Sequence, residues 1–62
     1  DGNPGVHRVL TGGVVEMKID HGPGYRVYYV QRDNTVVVLL CGGDKATQQR
    51  DIAQALSLAG NL

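Results

Sequence analysis

The chain has 62 residues, which is enough for one small domain and no more. Six basic and six acidic side chains give a formal net charge of zero, so overall charge does not indicate nucleic-acid binding. The single cysteine excludes an internal disulfide, and no apolar run is long enough to span a membrane. His7 and His21 lack partners at zinc-ligand spacing, so we expect surface histidines, no metal site and no cofactor.

The first part of the chain predicts two short strands. Residues 1–5, DGNPG, indicate a polar loop, and residues 6–10 indicate a short extended segment. Residues 11–13, TGG, predict either a turn or a bulge within one bent strand. From residue 14 to residue 20, apolar and polar side chains alternate, which is typical of a half-buried antiparallel strand. The apolar side of this strand, expected to face the core, consists of Val15, Met17 and Ile19.

A tight hairpin is predicted at residues 21–24, HGPG, because glycine accepts a positive φ and proline fixes φ near the turn value. The return strand would run from Tyr25 to Arg32. With Val27 and Tyr29 in the core, the alternation places Arg26 on the outer face of the sheet.

The second half of the chain predicts one more strand and a helix. After a turn at Asp33-Asn34, residues 35–41 are apolar on both faces, which predicts the most buried strand, either central or covered on both sides. Asp44 or Thr47 can cap a helix predicted from Lys45 to Ala59. The apolar stripe of this helix consists of Ile52, Ala55, Leu56 and Ala59, and Gly60 is expected just beyond its end.

The predicted fold is therefore α+β, with a three- to four-stranded antiparallel sheet followed by one C-terminal helix in a single domain over residues 1–62. One helix covers only part of such a sheet, so we expect a homo-oligomer, a bound partner, or a longer parent domain. The polar opening residues predict no signal peptide, and the unpaired cysteine favours the cytoplasm.

Three stretches of the sequence carry a family resemblance. They are EMKIDHGPGYRVYY at residues 16–29, LLCGGDKATQ at residues 39–48 and RDIAQA at residues 50–55. The chain resembles RelE/ParE-superfamily toxins, and within them the HigB-like branch of addiction module killer proteins. The resemblance covers residues 12–59 but lacks the N-terminal helical hairpin with which such toxins usually begin. It implies the toxin of a type II toxin–antitoxin module with a cognate antitoxin as its partner.

The resemblance also implies a metal-independent endoribonuclease that cuts mRNA, either free or on the ribosome. Cleavage of this kind uses the RNA 2′-hydroxyl as nucleophile and needs cations that stabilise the pentacovalent phosphate. The resemblance assigns catalytic roles to Arg26, Lys18 and Lys45. The hairpin would bring Lys18 and Arg26 together on the outer face of the sheet. Further RNA contacts are expected from Tyr28, Arg32 and Arg50.

Two hypotheses stay open. The first is the ribonuclease, which requires an outward-facing Arg26 close to Lys18. Tyr28, on the same face as Arg26, is expected either to stack on a base or to fill a packing position. The second is a non-catalytic module that self-associates or binds an antitoxin. Glu16 stands where RelE has a lysine, and the predicted helix lacks the tyrosine of RelE, which favours the second hypothesis. A superfamily member poisons DNA gyrase, so the resemblance alone does not fix the target.

Overall fold

The computed structural model describes residues 5–34 and 36–62 of the chain. Within them the strands pair antiparallel in the order β1-β2-β3-β4, and one helix follows. This confirms the predicted α+β fold. Of the loop predicted for residues 1–5, residues 1–4 lie outside the described residues, as does the predicted strand start at Thr35, while Gly5 begins the first strand instead. The elements are β1 Gly5–Val9, β2 Val15–Ile19, β3 Tyr25–Arg32, β4 Val36–Gly43 and α1 Gln48–Gly60, with 3-10 turns at Thr11–Gly13 and Lys45–Thr47.

Glycines with positive φ form the first two turns of the chain, between β1 and β2 and between β2 and β3. Gly12 and Gly13, at φ of 70° and 78°, make the turn between β1 and β2, so the turn is found rather than a bulge in one strand. Gly22 and Gly24, at 63° and 82°, close the hairpin between β2 and β3. Because both turns are tight, the register between these strands is fixed.

A capping box begins the C-terminal helical segment. The Asp44 carboxylate accepts hydrogen bonds from the backbone N–H groups of Ala46 and Thr47, and the Thr47 hydroxyl accepts one from the Asp44 N–H. The predicted cap at Asp44 is confirmed. The helix α1 has 13 residues and includes Gly60, which was expected just beyond it. In the described part of the chain, no helix combines the length and apolarity needed to cross a membrane.

The core lies between α1 and the face of the sheet formed mainly by β3 and β4. Its fully buried apolar side chains are Val14, Tyr28, Val30 and Ala55. The predicted apolar stripe of the helix is confirmed, since Ile52, Leu56 and Ala59 pack against this cluster and Ala55 belongs to it.

The helix covers the opposite sheet face from the one predicted. Arg26 and Tyr28 point toward the helix side and are 7% and 0% exposed, whereas Val27 and Tyr29 lie half-buried on the other face. The predicted outward Arg26 is therefore wrong. On β2, Glu16 is buried on the helix side at 5% exposure, so the prediction for the apolar side of that strand is wrong too. Both faces of these strands carry apolar residues, so alternation alone does not decide which face is covered.

The strand β4 lies at an edge of the sheet. It pairs with β3 only, and Val36, Val37 and Leu39 are 47%, 57% and 66% exposed. The prediction of a central or doubly covered strand is therefore wrong. A register shift opposite Tyr28 and Tyr29 adds one residue to β4, and beyond it the strand packs toward the helix.

The face away from the helix is apolar and uncovered by the described residues. Val9 and Leu39 there are 73% and 66% exposed, and the His7 ring meets the Tyr29 ring edge-on at 6.5 Å between centroids. This agrees with the expectation that one helix covers only part of the sheet. The register places on this face His7, Val9, Val15, Met17, Ile19, Tyr25, Val27, Tyr29, Gln31, Val37 and Leu39, of which His7 and Gln31 are the polar members.

Gly43 is packed tightly beneath the start of the helix. A methyl group on its Cα would overlap Asp51 Oδ2 and lie 2.6 Å from Thr47 Oγ1. Asp51 is 3% exposed and accepts a hydrogen bond from that hydroxyl, so it cannot withdraw without losing a buried contact. We expect Gly43→Ala to lower the free energy of unfolding by about 1–3 kcal/mol, measured by urea denaturation.

Gly60→Ala is the matched control. Nothing lies within 4 Å of the added methyl group, and Gly60 is helical. This variant should be as stable as the natural chain or more stable, by up to about 1 kcal/mol. Equal stability of Gly43→Ala and the natural chain would show that Asp51 is not held in place.

Candidate functional site

One corner of the sheet holds the three cations predicted to act together. Lys18 on β2 and Arg26 on β3 are register partners, which places their Cβ atoms about 4.5–5.5 Å apart. A side-chain carbon placed at Gly24 would lie 3.5 Å from Arg26 Nη1 and 3.7 Å from Lys45 Cβ. Arg26 and Lys45 therefore flank the same turn. We call Lys18, Arg26 and Lys45 the cation corner; it lies at the helix side of the sheet, not on the predicted outer face.

Arg26 differs from its two neighbours in burial. Lys18 and Lys45 are exposed, whereas Arg26 is 7% exposed. Arg26 Nη1 donates a hydrogen bond of 2.9 Å to the Gly24 carbonyl. Its Nε is buried, has no hydrogen-bond partner among the described residues, and lies 3.9 Å from Glu16 Oε2. The corner thus combines one buried guanidinium, bonded to the Gly24 carbonyl, with two exposed amines.

Glu16 is the centre of the buried polar contacts beside this corner. Its Oε2 accepts hydrogen bonds from the Tyr28 hydroxyl at 2.8 Å and from Gln48 Nε2 at 2.9 Å. Its Oε1 lies 2.9 Å from Arg8 Nη2. Sequence reasoning missed Arg8, Glu16 and Gln48 as members of the site. Pairing Arg8 opposite Glu16 across β1 and β2 was the available signal, because both then share the face of Arg26.

The surroundings of Glu16 and Tyr28 fix their protonation. Burial raises the pKa of Glu16, but the hydrogen bonds from Tyr28 and Gln48 and the charges of Arg8 and Arg26 outweigh it, so the pKa is lowered from 4.5. Burial, and then the hydrogen bond to Glu16, raises the pKa of Tyr28 well above its ordinary range. At neutral pH a carboxylate therefore faces a neutral phenol that donates to it.

The lone cysteine is a packing residue. Burial, and secondarily the negative charge of Asp51, raises the pKa of Cys41, so its thiol stays protonated at neutral pH. Its Sγ donates to the Asp51 carbonyl at 3.4 Å.

The three predicted RNA-contact residues have separate environments. Tyr28 is fully buried and offers no ring face to a base, so the predicted stacking is wrong. Arg32 is exposed at the far end of β3, about 20 Å from Arg26 at the usual rise of a strand. Arg50, in the first turn of α1, is exposed and lies 3.7 Å from Asp51 Oδ1. Of the three, Arg50 lies on the element that begins at the cation corner.

Two open surface cavities border the corner. One of about 450 Å³ is lined in part by Arg26, Gly43 and Thr47, and one of about 500 Å³ runs along residues 45–50. Within residues 5–34 and 36–62, no three His, Cys, Asp or Glu side chains form a group suited to a metal ion. A guanidinium beside two amines can bind an anion with two charged oxygens, such as a phosphodiester.

The ionised Glu16 makes the stability of the chain depend on pH in the acid range. Because its folded pKa lies below the unfolded value of 4.5, its contribution is present above that value and is lost as the pH falls through the folded pKa. We expect Glu16→Gln to unfold more easily than the natural chain by about 1–3 kcal/mol at pH 7, with a gap that closes as the pH falls below 4.5 and through the lowered folded pKa. Urea denaturation at several pH values measures it, and a gap independent of pH would contradict it.

The Tyr28 hydroxyl gives a second test, made at pH 7. Tyr28→Phe leaves a buried carboxylate oxygen without one of its donors, so we expect a loss of about 1–2 kcal/mol in the free energy of unfolding. Tyr25→Phe is the matched control, since Tyr25 is 49% exposed on the same strand, and it should unfold like the natural chain. Similar urea midpoints for the two variants would refute the role of the Tyr28 hydroxyl.

Comparison with known proteins identifies the family of the chain. The family described as "Phage derived protein Gp49-like (DUF891)" matches residues 2–61. A Haemophilus influenzae protein (strain ATCC 51907 / DSM 11121 / KW20 / Rd) named "Uncharacterized protein" is 49% identical over 61 residues, covering 98% of this chain and 62% of that protein. The chain thus spans less than two thirds of the length of this relative. No solved structure matches.

The matched family is toxin-like and related to RelE/ParE-type toxins, and its members are generally of toxin–antitoxin type. This agrees with the resemblance to RelE/ParE-type toxins, but it does not show whether the chain belongs to the HigB-like branch. The chain belongs to the Gp49-like family of phage-derived, toxin-like proteins.

Proposed function

We propose that the chain is a HigB-like toxin of a type II toxin–antitoxin module and that it cuts mRNA as a metal-independent endoribonuclease. The observation that supports this most is the cation corner, where Lys18 stands directly opposite Arg26 and Lys45 reaches the same turn. In a chain of zero net charge, such a local group is what a phosphate contact requires.

The corner would act on one phosphodiester of the RNA. Arg26 does not face outward as the ribonuclease hypothesis required, so the phosphate would reach its guanidinium through the open cavity of about 450 Å³ that Arg26 lines with Gly43 and Thr47. There the guanidinium would hold two phosphate oxygens as a fork, and the exposed amines of Lys18 and Lys45 would neutralise the charge that develops as the 2′-hydroxyl attacks. Both oxygens of Glu16 are engaged by donors, so we assign Glu16 no part in proton transfer. The 2′-oxygen would bond to phosphorus as the P–O5′ bond breaks, which leaves a 2′,3′-cyclic phosphate and a 5′-hydroxyl. Water would take the 2′-hydroxyl proton and protonate the departing 5′-oxygen, while the chain contributes electrostatic stabilisation and positioning.

The remaining contacts are proposed for binding. Arg50, exposed at the start of α1, would contact a phosphate next to the corner, and Arg32 would contact RNA about 20 Å away along β3. The mRNA would be met in the cytoplasm, either free or on the ribosome. A cognate antitoxin would block the corner or bind the uncovered sheet face.

A second candidate function is a non-catalytic module that forms homo-oligomers or only binds an antitoxin. Two observations favour it. Arg26 is 7% exposed, and the uncovered sheet face leaves Val9 and Leu39 mostly exposed, as expected for a surface that another protein contacts.

RNA cleavage by single variants tests the first proposal. Lys18 and Lys45 are exposed, so Lys18→Ala and Lys45→Ala should fold normally and lower kcat by about tenfold or more on a short RNA. Arg26→Lys keeps the buried charge but loses the fork, and it should lower kcat by about 10²-fold. A substrate with a 2′-deoxy sugar at the cut position should not be cut, because it lacks the nucleophile.

Two further variants separate catalysis from binding. Arg32→Ala removes a distant contact, so we expect a higher KM with unchanged kcat. Gln54→Ala, at an exposed position of α1, should match the natural chain. No cleavage by the natural chain, together with harmless expression and a mass in solution above that of one chain, would favour the second candidate.

A further inference from the structure

Glu16 is a buried ionised group that the proposed phosphate contacts do not use. It is 5% exposed, although a buried carboxylate costs free energy unless charges and donors compensate it. The compensating groups come from β1, β3 and α1, namely Arg8, Arg26, Tyr28 and Gln48. A carboxylate placed among groups from three elements can set the position of a neighbour.

Arg26 is that neighbour. Its Nη1 is fixed by the Gly24 carbonyl at 2.9 Å, while its Nε faces Glu16 Oε2 at 3.9 Å. The longer distance exceeds that of a hydrogen bond, and Nε has no other partner among the described residues. The charge of Glu16, rather than a directional bond, therefore attracts this side of the guanidinium.

The other contacts of Glu16 keep its carboxylate from turning. Arg8 holds Oε1 at 2.9 Å, and Tyr28 and Gln48 hold Oε2 at 2.8 and 2.9 Å. Oε2 is thus a fixed negative point beside Arg26. A guanidinium anchored at Nη1 and attracted at Nε presents its remaining N–H groups in one direction.

We propose that Glu16 is a positioning residue that orients the Arg26 fork for the phosphate of the RNA substrate, an inference that rests on the proposed ribonuclease. Neutralising Glu16 leaves the charge of Arg26 in place, so long-range attraction of RNA is kept or strengthened. The orientation needed in the transition state is lost, and a misplacement of about 1 Å costs roughly 10²-fold in rate. The expected signature is a fall in kcat without a rise in KM.

Glu16→Gln tests this with two readouts. Gln has nearly the same shape, and its carbonyl still accepts from Tyr28 and Gln48, while its NH2 group replaces the oxygen that pairs with Arg8, so the variant removes the charge and the Arg8 contact together. We expect kcat for RNA cleavage to fall by about tenfold or more, with KM within about threefold of the natural chain. In NMR spectra, the Nε–H signal of Arg26 should be slow to exchange with water in the natural chain and fast in the variant.

Asp33→Asn is the matched control, because it makes the same carboxylate-to-amide change at an exposed turn position roughly 20 Å from Arg26, just beyond the end of β3. It should keep kcat within about threefold and keep the slow Arg26 signal. An equal fall in kcat for Asp33→Asn would show that losing any one negative charge is enough, which overturns the proposal. If Glu16→Gln does not fold, Glu16→Asp replaces it. Asp withdraws the carboxylate from Arg26 by one methylene group, so this variant should also lower kcat and leave KM nearly unchanged.

The outcomes separate this inference from the proposed function. If the natural chain cuts RNA and Glu16→Gln cuts it with the same kcat, the positioning role is wrong and the ribonuclease stands. If the natural chain cuts no RNA, the ribonuclease fails, and the exchange of the Arg26 Nε–H then decides alone whether Glu16 orders that side chain. Slow exchange of the Arg26 Nε–H in both the natural chain and Glu16→Gln overturns the positioning role.

Discussion

The structure depends on one buried carboxylate and the donors around it. Glu16 connects β1 through Arg8, β3 through Tyr28 and α1 through Gln48. The fully buried apolar core is small, and a domain of 62 residues hides a limited share of its surface. Polar contacts at the centre of such a domain stabilise it only when every member is satisfied, so these side chains depend on one another.

This interaction also decides which side of the sheet carries the cation corner. Tyr28 contributes its ring to the core and its hydroxyl to Glu16, so β3 turns that face toward the helix. Arg26 lies two residues before Tyr28 on the same face of β3 and is buried next to Lys18. The cation corner is therefore a consequence of how the core is closed, and its guanidinium is held before any ligand arrives.

The two faces of the sheet have contrasting surfaces. The helix side combines a compact core with the exposed amines of Lys18 and Lys45. By its register the opposite side is almost entirely apolar, with Val9 and Leu39 well exposed. A cationic corner and an apolar face can serve different partners.

The sequence by itself determined which elements form and their order along the chain. Strand β3, the glycine turn before it, the cap at Asp44 and the apolar stripe of α1 follow from residues within a few positions of each other, because turns, caps and periodicity are local. The grouping of Lys18, Arg26 and Lys45 was also predictable, from the hairpin and the family resemblance. Only the tertiary structure decided that Arg26 points inward, that β4 is an edge strand and that Glu16 is buried. Those outcomes depend on contacts between distant residues, such as Gln48 with Glu16, and an alternation with apolar residues on both faces carries no information about them.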